Sequence, residues 1–596
     1  MKYTTIIALT LSSLSYTGCQ NSHQTVINAK VWSTTDRVQY FPEQSDPEYQ
    51  VPKLRNIKNN PKSFGIAFSG GGTRSASATL GQLRMLHKLG WIDNVLYISA
   101  VSGGSWTSVP YTYLPDKYSD RDFLSMDIYK RPNEITDEAL GYGKEGVNFS
   151  HAIRNSAIMR PLLRSWGSRK GDEAYADVLN HIFLEPFSLG DTNKLFTWNS
   201  KSAQRICQAS TGSNLTSQDF YTARAKRPYL LVGGTVQKKH KTFQLSRLPS
   251  DIYPFVMTPH YAGIPTSMNI YRHDQASLGG GYIEAAGYDS LAPKRITLGA
   301  DKSTRIPLQI RSKRYKFTLS DVIAVSGSAP QGALTGGARY LTLGLASNLG
   351  LPEHDHWPVI EHGSRPHKDD LVHGDGGNLE NTGLHALLSR RVKNIMIFVN
   401  SAMPFNPEMP TVRADRPLWT QINHGKNSNI DSAIEVCFRP SSSKPYNQVF
   451  KPEKFEDIYR TFANIHRENI RRHNENQSGM LPLVHYDTYK IQRNHWHSIE
   501  PYTARICWVY LYAPPSWTKK IPIAKNGPSK DLRNGKGKFR GFPHYKTFLT
   551  QGQGGQLIDL SREQVNALAN LSSWTLETAA EEIRRKCFTR LDLKKP

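Results

Sequence analysis

Two serine segments rich in glycine stand about thirty residues apart, Ser69-Gly70-Gly71-Gly72-Thr73-Arg74 and Val101-Ser102-Gly103-Gly104-Ser105-Trp106. A serine hydroxyl attacks an ester only when a base takes its proton and donors meet the oxyanion that forms. Ser102 follows the apolar run Val95-Leu96-Tyr97-Ile98 and has Ala100 and Gly104 as small neighbours, which suits the sharp strand-to-helix turn that presents a nucleophile. Gly70, Gly71 and Gly72 follow a second apolar run, Phe64 to Phe68, and precede leucines three apart at 80, 83, 86 and 89. That pattern is a strand, a turn and a helix N-terminus, whose bare amides suit an anion. A nucleophile and an oxyanion hole are expected side by side. Each feature alone has a plainer reading: a glycine triplet as a turn, Ser102 as a helix cap. No GxxxxGK pattern marks a nucleotide loop. Ser326, in Ala324-Val325-Ser326-Gly327-Ser328, repeats the local spelling of Ser102 but lacks the upstream triplet and follows a helix-like run, so it reads as structural and near the site.

The elements that hold these residues read as α/β. Residues 60 to 110 alternate strand, helix, strand, the mark of a parallel sheet with crossover helices. Leu230-Leu231-Val232 and Asn394 to Val399 are continuous apolar runs, as buried parallel strands are. Helical periodicity returns from about Phe455 to Ile470 and from about Val565 to Ile583. Residues 111–225 are long and mixed, as an insertion capping a site would be, and residues 343–370 read as a loop. The expected organisation is a signal peptide over 1–18, an N-terminal arm over 19–57, a catalytic α/β domain over 58–415, and a C-terminal part over 416–596 packed on it.

The N-terminus carries one lysine, a short apolar stretch and then Thr17-Gly18-Cys19. That layout fits a secretory signal. Gly18-Cys19 also fits the end of a bacterial lipobox, which would make Cys19 the lipidated first residue of a periplasmic or outer-membrane lipoprotein; the alternative is an ordinary cleaved signal. The remaining Cys207, Cys437, Cys507 and Cys587 permit two disulfides or four buried thiols.

A formal charge of +25, from 75 Lys and Arg against 50 Asp and Glu, calls for an acidic partner or surface. No helix-turn-helix, zinc-finger or RNP pattern directs that charge to nucleic acid. An anionic lipid surface accounts for it equally. The densest patch, Lys519, Lys520, Lys525, Lys530, Arg533, Lys536, Lys538, Arg540 and Lys546, reads as a mobile solvated loop. His354, His356, His362, His367 and His373 fit no zinc template and read as a solvated loop too. No metal site and no cofactor are expected.

The third glycine-rich stretch, His373-Gly374-Asp375-Gly376-Gly377-Asn378, lies just before Asn381-Thr382-Gly383-Leu384. Taken alone, Asp375 is a turn residue. With S-G-G-G-x-R and S-G-G-S-W in order before it, the chain resembles the catalytic domain of the group IV cytosolic phospholipases A2 and the fungal phospholipase B (lysophospholipase) family, with the patatins as more distant relatives. Arg227-Pro228-Tyr229, Thr258 to Gly263 and Phe542-Pro543 are supporting matches. The resemblance spans roughly residues 60 to 550. It implies a patatin-like three-layer α/β sandwich around a mostly parallel sheet. It further implies a Ser102 nucleophile, an Asp375 base acting without histidine, an oxyanion hole at Gly70, Gly71 and Gly72, and Arg74 supporting the oxyanion or a lipid phosphate. The activity implied is metal-free hydrolysis of the acyl esters of phospholipids or lysophospholipids. Acyl transfer or general esterase action, and a catalytically silent lipid-binding protein, are the alternatives. His373 is the rival base.

Overall fold

The structure, a computed structural model, describes all residues except 1–25, 36–38, 154–173, 211, 239–251, 267–278, 311–315, 329–351, 353, 361–370, 408–429, 442–443 and 546–559. The strands in chain order are β1 (Val26–Ser33), β2 (Phe64–Phe68), β3 (Tyr97–Val101), β4 (Leu195–Thr197), β5 (Phe220–Thr222), β6 (Tyr229–Lys238), β7 (Ile252–Met257), β8 (Tyr261–Ile264), β9 (Gly281–Glu284), β10 (Ser303–Gln309), β11 (Leu371–Asp375), β12 (Asn394–Val399), β13 (Val484–Ile491) and β14 (Tyr502–Tyr510). All but β4 and β5, which pair with each other, belong to one sheet.

The centre of that sheet is parallel, in the order β14, β12, β2, β3, β6. Every residue of β2, β3 and β12 is buried, which is why these strands read as unbroken apolar runs. Alternate side chains feed two cores. Phe64, Ile66, Phe68, Met396 and Phe398 face one side, which also holds Leu80 and Leu83 of the Gly72–Lys88 helix. Ala67, Ile395, Ile397 and Val399 face the other, with Leu384 and Leu387 and with Phe455 and Phe462 of the Glu453–Asn474 helix. Two helical layers therefore sandwich the sheet, as the expected α/β class requires.

Antiparallel strands extend this centre on both flanks. Two findings change the expected layout. The segment read as an arm contributes β1, an inner strand between β9 and β10. The segment read as packed on the domain supplies β13 and β14, which continue the same sheet beyond β12. Backbone pairing, rather than side-chain packing alone, ties both ends to the centre.

The Arg562–Glu582 helix begins with a Ser561/Gln564 capping box and lies across the Gly72–Lys88 helix. Their backbones touch at Gly81, where a β-carbon would stand 2.0 Å from the Ala569 carbonyl oxygen. Among the described residues no helix is long and apolar enough to cross a membrane. The expected signal peptide and Cys19 lie outside the described residues, as do His362, His367 and Lys546.

Candidate active site

Ser102 stands between the end of β3 and the Gly103–Tyr113 helix with φ 51° and ψ −128°. A residue with a β-carbon reaches that backbone only at a cost of about 1–3 kcal/mol, a strain typical of functional turns. The neighbours show why glycine must follow. A β-carbon on Gly103 would lie 1.9 Å from the Gly72 carbonyl oxygen, and one on Gly104 would lie 2.8 Å from that of Phe68. The glycine loop and the serine turn are thus packed backbone to backbone.

Asp375 closes β11, paired opposite Gly234 of β6, while β6 pairs in parallel with β3 so that Gly233 faces Val101. Two strand pairings therefore bring together residues 273 apart in sequence: Ser102 Oγ donates to Asp375 Oδ2 at 2.9 Å. The other carboxylate oxygen accepts from the Gly377 amide at 2.7 Å. Gly376 is required by space, since a β-carbon there would stand 2.6 Å from the Gly233 carbonyl oxygen.

Burial pushes the Asp375 carboxyl up to about 6, against the opposing pull of the Gly377 amide, the Ser102 hydroxyl and the Lys444 ammonium. The base is thus poised near neutrality, where it can both hold and release a proton. Lys444 donates to the Gly377 carbonyl at 2.7 Å, so the same turn that binds the carboxylate also carries a cation beside it. Nothing in the local sequence marked Lys444, which arrives from 69 positions past Asp375 in a segment of no particular pattern.

Of the three glycines expected to bind the oxyanion, Gly70 does not fit. Its amide donates to the Asn381 carbonyl at 2.9 Å, and its donor is spent. Asn381 is held against Gly70 and Gly377 alike, a placement no sequence signal announced. Gly71 and Gly72 remain, at the N-cap and first turn of the Gly72–Lys88 helix, and among the described residues their amides carry no hydrogen bond. The Gly103 amide, next after the nucleophile and against Gly72, is a further donor that the sequence reading omitted.

Arg74 lies beneath this loop. It is 3% exposed, and its guanidinium donates to the carbonyl oxygens of Asn400 and Tyr545, while a β-carbon on Gly71 would meet its Nη2 at 2.4 Å. Burial lowers it to about 10, so it stays charged at neutral pH. Its two hydrogen bonds tie the first turn of the helix after the glycine loop to the Asn400 and Tyr545 backbone, which makes it a structural brace beside Gly71.

The histidines are corrected. His356 and His373 are buried, and the His354 side chain is nearly so. The His373 ring meets Tyr288 Oη at 2.8 Å and packs edge-on to Phe255, and burial holds it well below the ordinary imidazole range. His354 Nδ1 reaches Asp289 at 3.2 Å. Aromatic residues from distant segments supply the burial that a loop reading overlooked. Among the described residues no group of three or more His, Cys, Asp or Glu could hold a metal ion.

Cys207, Cys437, Cys507 and Cys587 are free thiols, the last three buried. The basic stretch is also corrected. It forms the short helices Pro515–Lys519 and Pro528–Asn534, anchored by buried Trp517, Ile521, Leu532 and Phe539, while Lys519, Lys520, Lys525, Lys530, Lys536, Lys538 and Arg540 face outward.

No family model matches the chain. A 67-residue stretch is 41% identical to human cytosolic phospholipase A2 delta. The chain resembles the cytosolic phospholipases A2. That stretch covers 11% of this chain and 8% of the human protein, so the likeness is local. A solved structure of human GIVD cytosolic phospholipase A2 aligns with 90% of this chain and 64% of its own at 13% identity and a TM-score of 0.38. The same protein in complex with methyl gamma-linolenyl fluorophosphonate aligns with 91% of this chain and 62% of its own at 14% identity and a TM-score of 0.35.

Proposed function

We propose that the chain is a serine lipid acyl hydrolase that cleaves carboxylic esters of glycerophospholipids or lysophospholipids through a Ser102–Asp375 dyad. The observation that carries this reading is the 2.9 Å hydrogen bond from Ser102 Oγ to the buried Asp375 carboxylate at a strained turn facing a glycine loop. As Ser102 Oγ attacks the ester carbonyl, Asp375 takes its proton and the carbonyl oxygen gains charge against the Gly71, Gly72 and Gly103 amides. Collapse expels the alcohol, which receives the proton, and leaves the acyl group on Ser102. Water, deprotonated by the same carboxylate, then releases the fatty acid. No step calls on a metal or on His373.

Purified protein in excess EDTA is expected to release free fatty acid from both diacyl and monoacyl phospholipids, read by mass spectrometry of the products. Fatty acid transferred to a second alcohol instead of water would establish the acyltransferase alternative. Release from neither lipid, with Ser102 unreactive to a fluorophosphonate, would leave the silent lipid-binding reading.

A membrane reading goes with this one. Ile523 is 84% exposed, the most exposed large apolar side chain among the described residues, and it sits among the outward lysines at 519, 520 and 525. An apolar tip within a basic surface suits an anionic bilayer, where each lysine near the surface contributes about 1 kcal/mol. Lipidation at Cys19 would add a tether, and several chains, or one chain plus a basic patch, hold stably where one chain alone does not. Ile523→Asp together with charge removal at Lys519, Lys520 and Lys525 is expected to lower sedimentation with phosphatidylserine vesicles at low salt while leaving hydrolysis of a soluble ester unchanged. Cys19→Ala is expected to shift the protein towards the soluble fraction. Unchanged sedimentation would remove the surface from the proposal, and an unmodified mature N-terminus beyond Cys19 would remove the tether.

A further inference from the structure

The second serine-glycine spelling, Ser326-Gly327, lies beside the site, as its sequence suggested, and in direct contact with the nucleophile's backbone. The Leu319–Gly327 helix starts with a Thr318/Asp321 capping box and runs its last turn against the nucleophile. There Ser326 Oγ accepts the Ser102 amide at 2.9 Å and donates to the Gly233 carbonyl at 2.7 Å. A hydroxyl has one proton to give and lone pairs to receive, so both roles are met at once. Gly233 lies on β6 beside Val101, and the next residue, Gly234, faces Asp375. One fully buried hydroxyl therefore joins the strained turn carrying the nucleophile to the strand that places the base.

Gly327 completes the fit. A β-carbon there would lie 2.4 Å from Trp106 Nε1, and the Trp106 indole donates to the Ile323 carbonyl at 3.3 Å. Tyr175 Oη donates to the Gly327 carbonyl at 2.5 Å and fixes the same end of the helix. The tryptophan of the first motif is thus seated on the glycine of the second, and the serine of the second holds the backbone of the first.

Resting on the dyad reading, we propose that Ser326 is a positioning residue for the nucleophile: its hydroxyl supplies the partner that keeps the Ser102 amide, and with it the strained elbow, aligned on Asp375. Among the described residues that amide finds its acceptor in this side chain rather than in a strand or helix carbonyl. Without the hydroxyl, the buried Ser102 amide loses the acceptor shown for it and the Gly233 carbonyl loses one donor, and the turn gains a reason to relax.

The test compares the rate of covalent labelling by a fluorophosphonate with thermal stability in four variants. Ser326→Ala is expected to slow labelling and ester turnover by about 100-fold, the loss that a displacement of about 1 Å produces, with little change in KM. Its acid limb is expected to shift upward from about 6, since a displaced Ser102 hydroxyl no longer helps hold the Asp375 carboxyl down while the burial stays. Ser326→Thr, which restores the hydroxyl, is expected to recover much of the rate. Val322→Ala truncates a buried side chain one helical turn before Ser326 that makes no hydrogen bond to the Ser102 amide, and is expected to lower the melting temperature without slowing labelling. Labelling of Ser326→Ala at the native rate would overturn the proposal, and so would equal slowing by Val322→Ala, which would make the effect one of helix stability. If Ser326→Ala does not fold, Ser326→Cys gives the reading with a weak S–H donor in place: slowed labelling supports the clamp, and native labelling overturns it. Persistent labelling of Ser102→Ala would mark failure of the dyad reading itself, a separate result from any of these.

Discussion

Ser102→Ala is expected to lower ester turnover by about 10⁴-fold or more, the loss seen when the nucleophile of a cooperating catalytic group is removed. Covalent labelling by a fluorophosphonate is expected to vanish with it, because the alanine offers no oxygen to phosphonylate. The fold is expected to survive, since the dominant contacts at this turn are glycine backbone against glycine backbone and are untouched by the loss of one hydroxyl. Ser102→Gly sharpens the measurement. It removes the same oxygen and also the β-carbon that makes φ 51° costly, so its melting temperature is expected to exceed that of Ser102→Ala. Labelling that persists in Ser102→Ala and disappears when another serine is replaced would overturn the assignment.

Asp375→Asn is expected to be nearly as severe in turnover, because an amide cannot accept the serine proton. His373→Gln is expected to be far milder, since that ring faces Tyr288 and Phe255 and is held neutral. The native enzyme is expected to lose kcat/KM with unit slope as pH falls through about 6, where burial holds the Asp375 carboxyl. Stability should run the other way. A carboxyl whose folded pKa is raised binds its proton more tightly in the folded state than in the unfolded chain, where it sits near 3.9. The native state therefore loses stability as pH rises from about 4 to about 6, a loss on the order of 3 kcal/mol by pH 7 that the neutral asparagine does not carry. Equal or greater stability of Asp375→Asn at pH 7, with turnover gone, is the expected pair of results. An active Asp375→Asn beside an inactive His373→Gln would transfer the base to the histidine.

How much of this was readable in the sequence depended on where each contact partner lay. β2 and β12 announced themselves because strands buried on both faces are apolar at every position, as Phe64 to Phe68 and Ile395 to Val399 are. The glycine loop and the Ser102 turn were legible from small residues at fixed spacing beside apolar runs. β1 was not, because Val26 to Ser33 carries Asn28 and Lys30 and its partners β9 and β10 lie some 250 to 280 residues on. The basic stretch misled through its Lys and Gly density, which hid Trp517 and Ile521 four apart as the buried side of a folded segment. The commitment of the Gly70 amide to Asn381, the Lys444 ammonium at Gly377 and the Ser326 hydroxyl at Ser102 are long-range backbone contacts. No window of sequence contains both members of any of them.

The separation between Ser102 and Asp375 also sets an order of events during synthesis. At roughly 5–20 residues per second, the carboxylate emerges tens of seconds after the serine it must meet. Even then β12 and β14 are still to be made, and the helix that carries the glycine loop lacks the partner that crosses it at Gly81. For that interval the nascent chain holds apolar strands without their sheet and a nucleophile without its base. The reactive centre is therefore silent by topology while translation proceeds, and the same delay leaves unpaired strand edges exposed, which makes the growing polypeptide a client for whatever shields such edges in the cell.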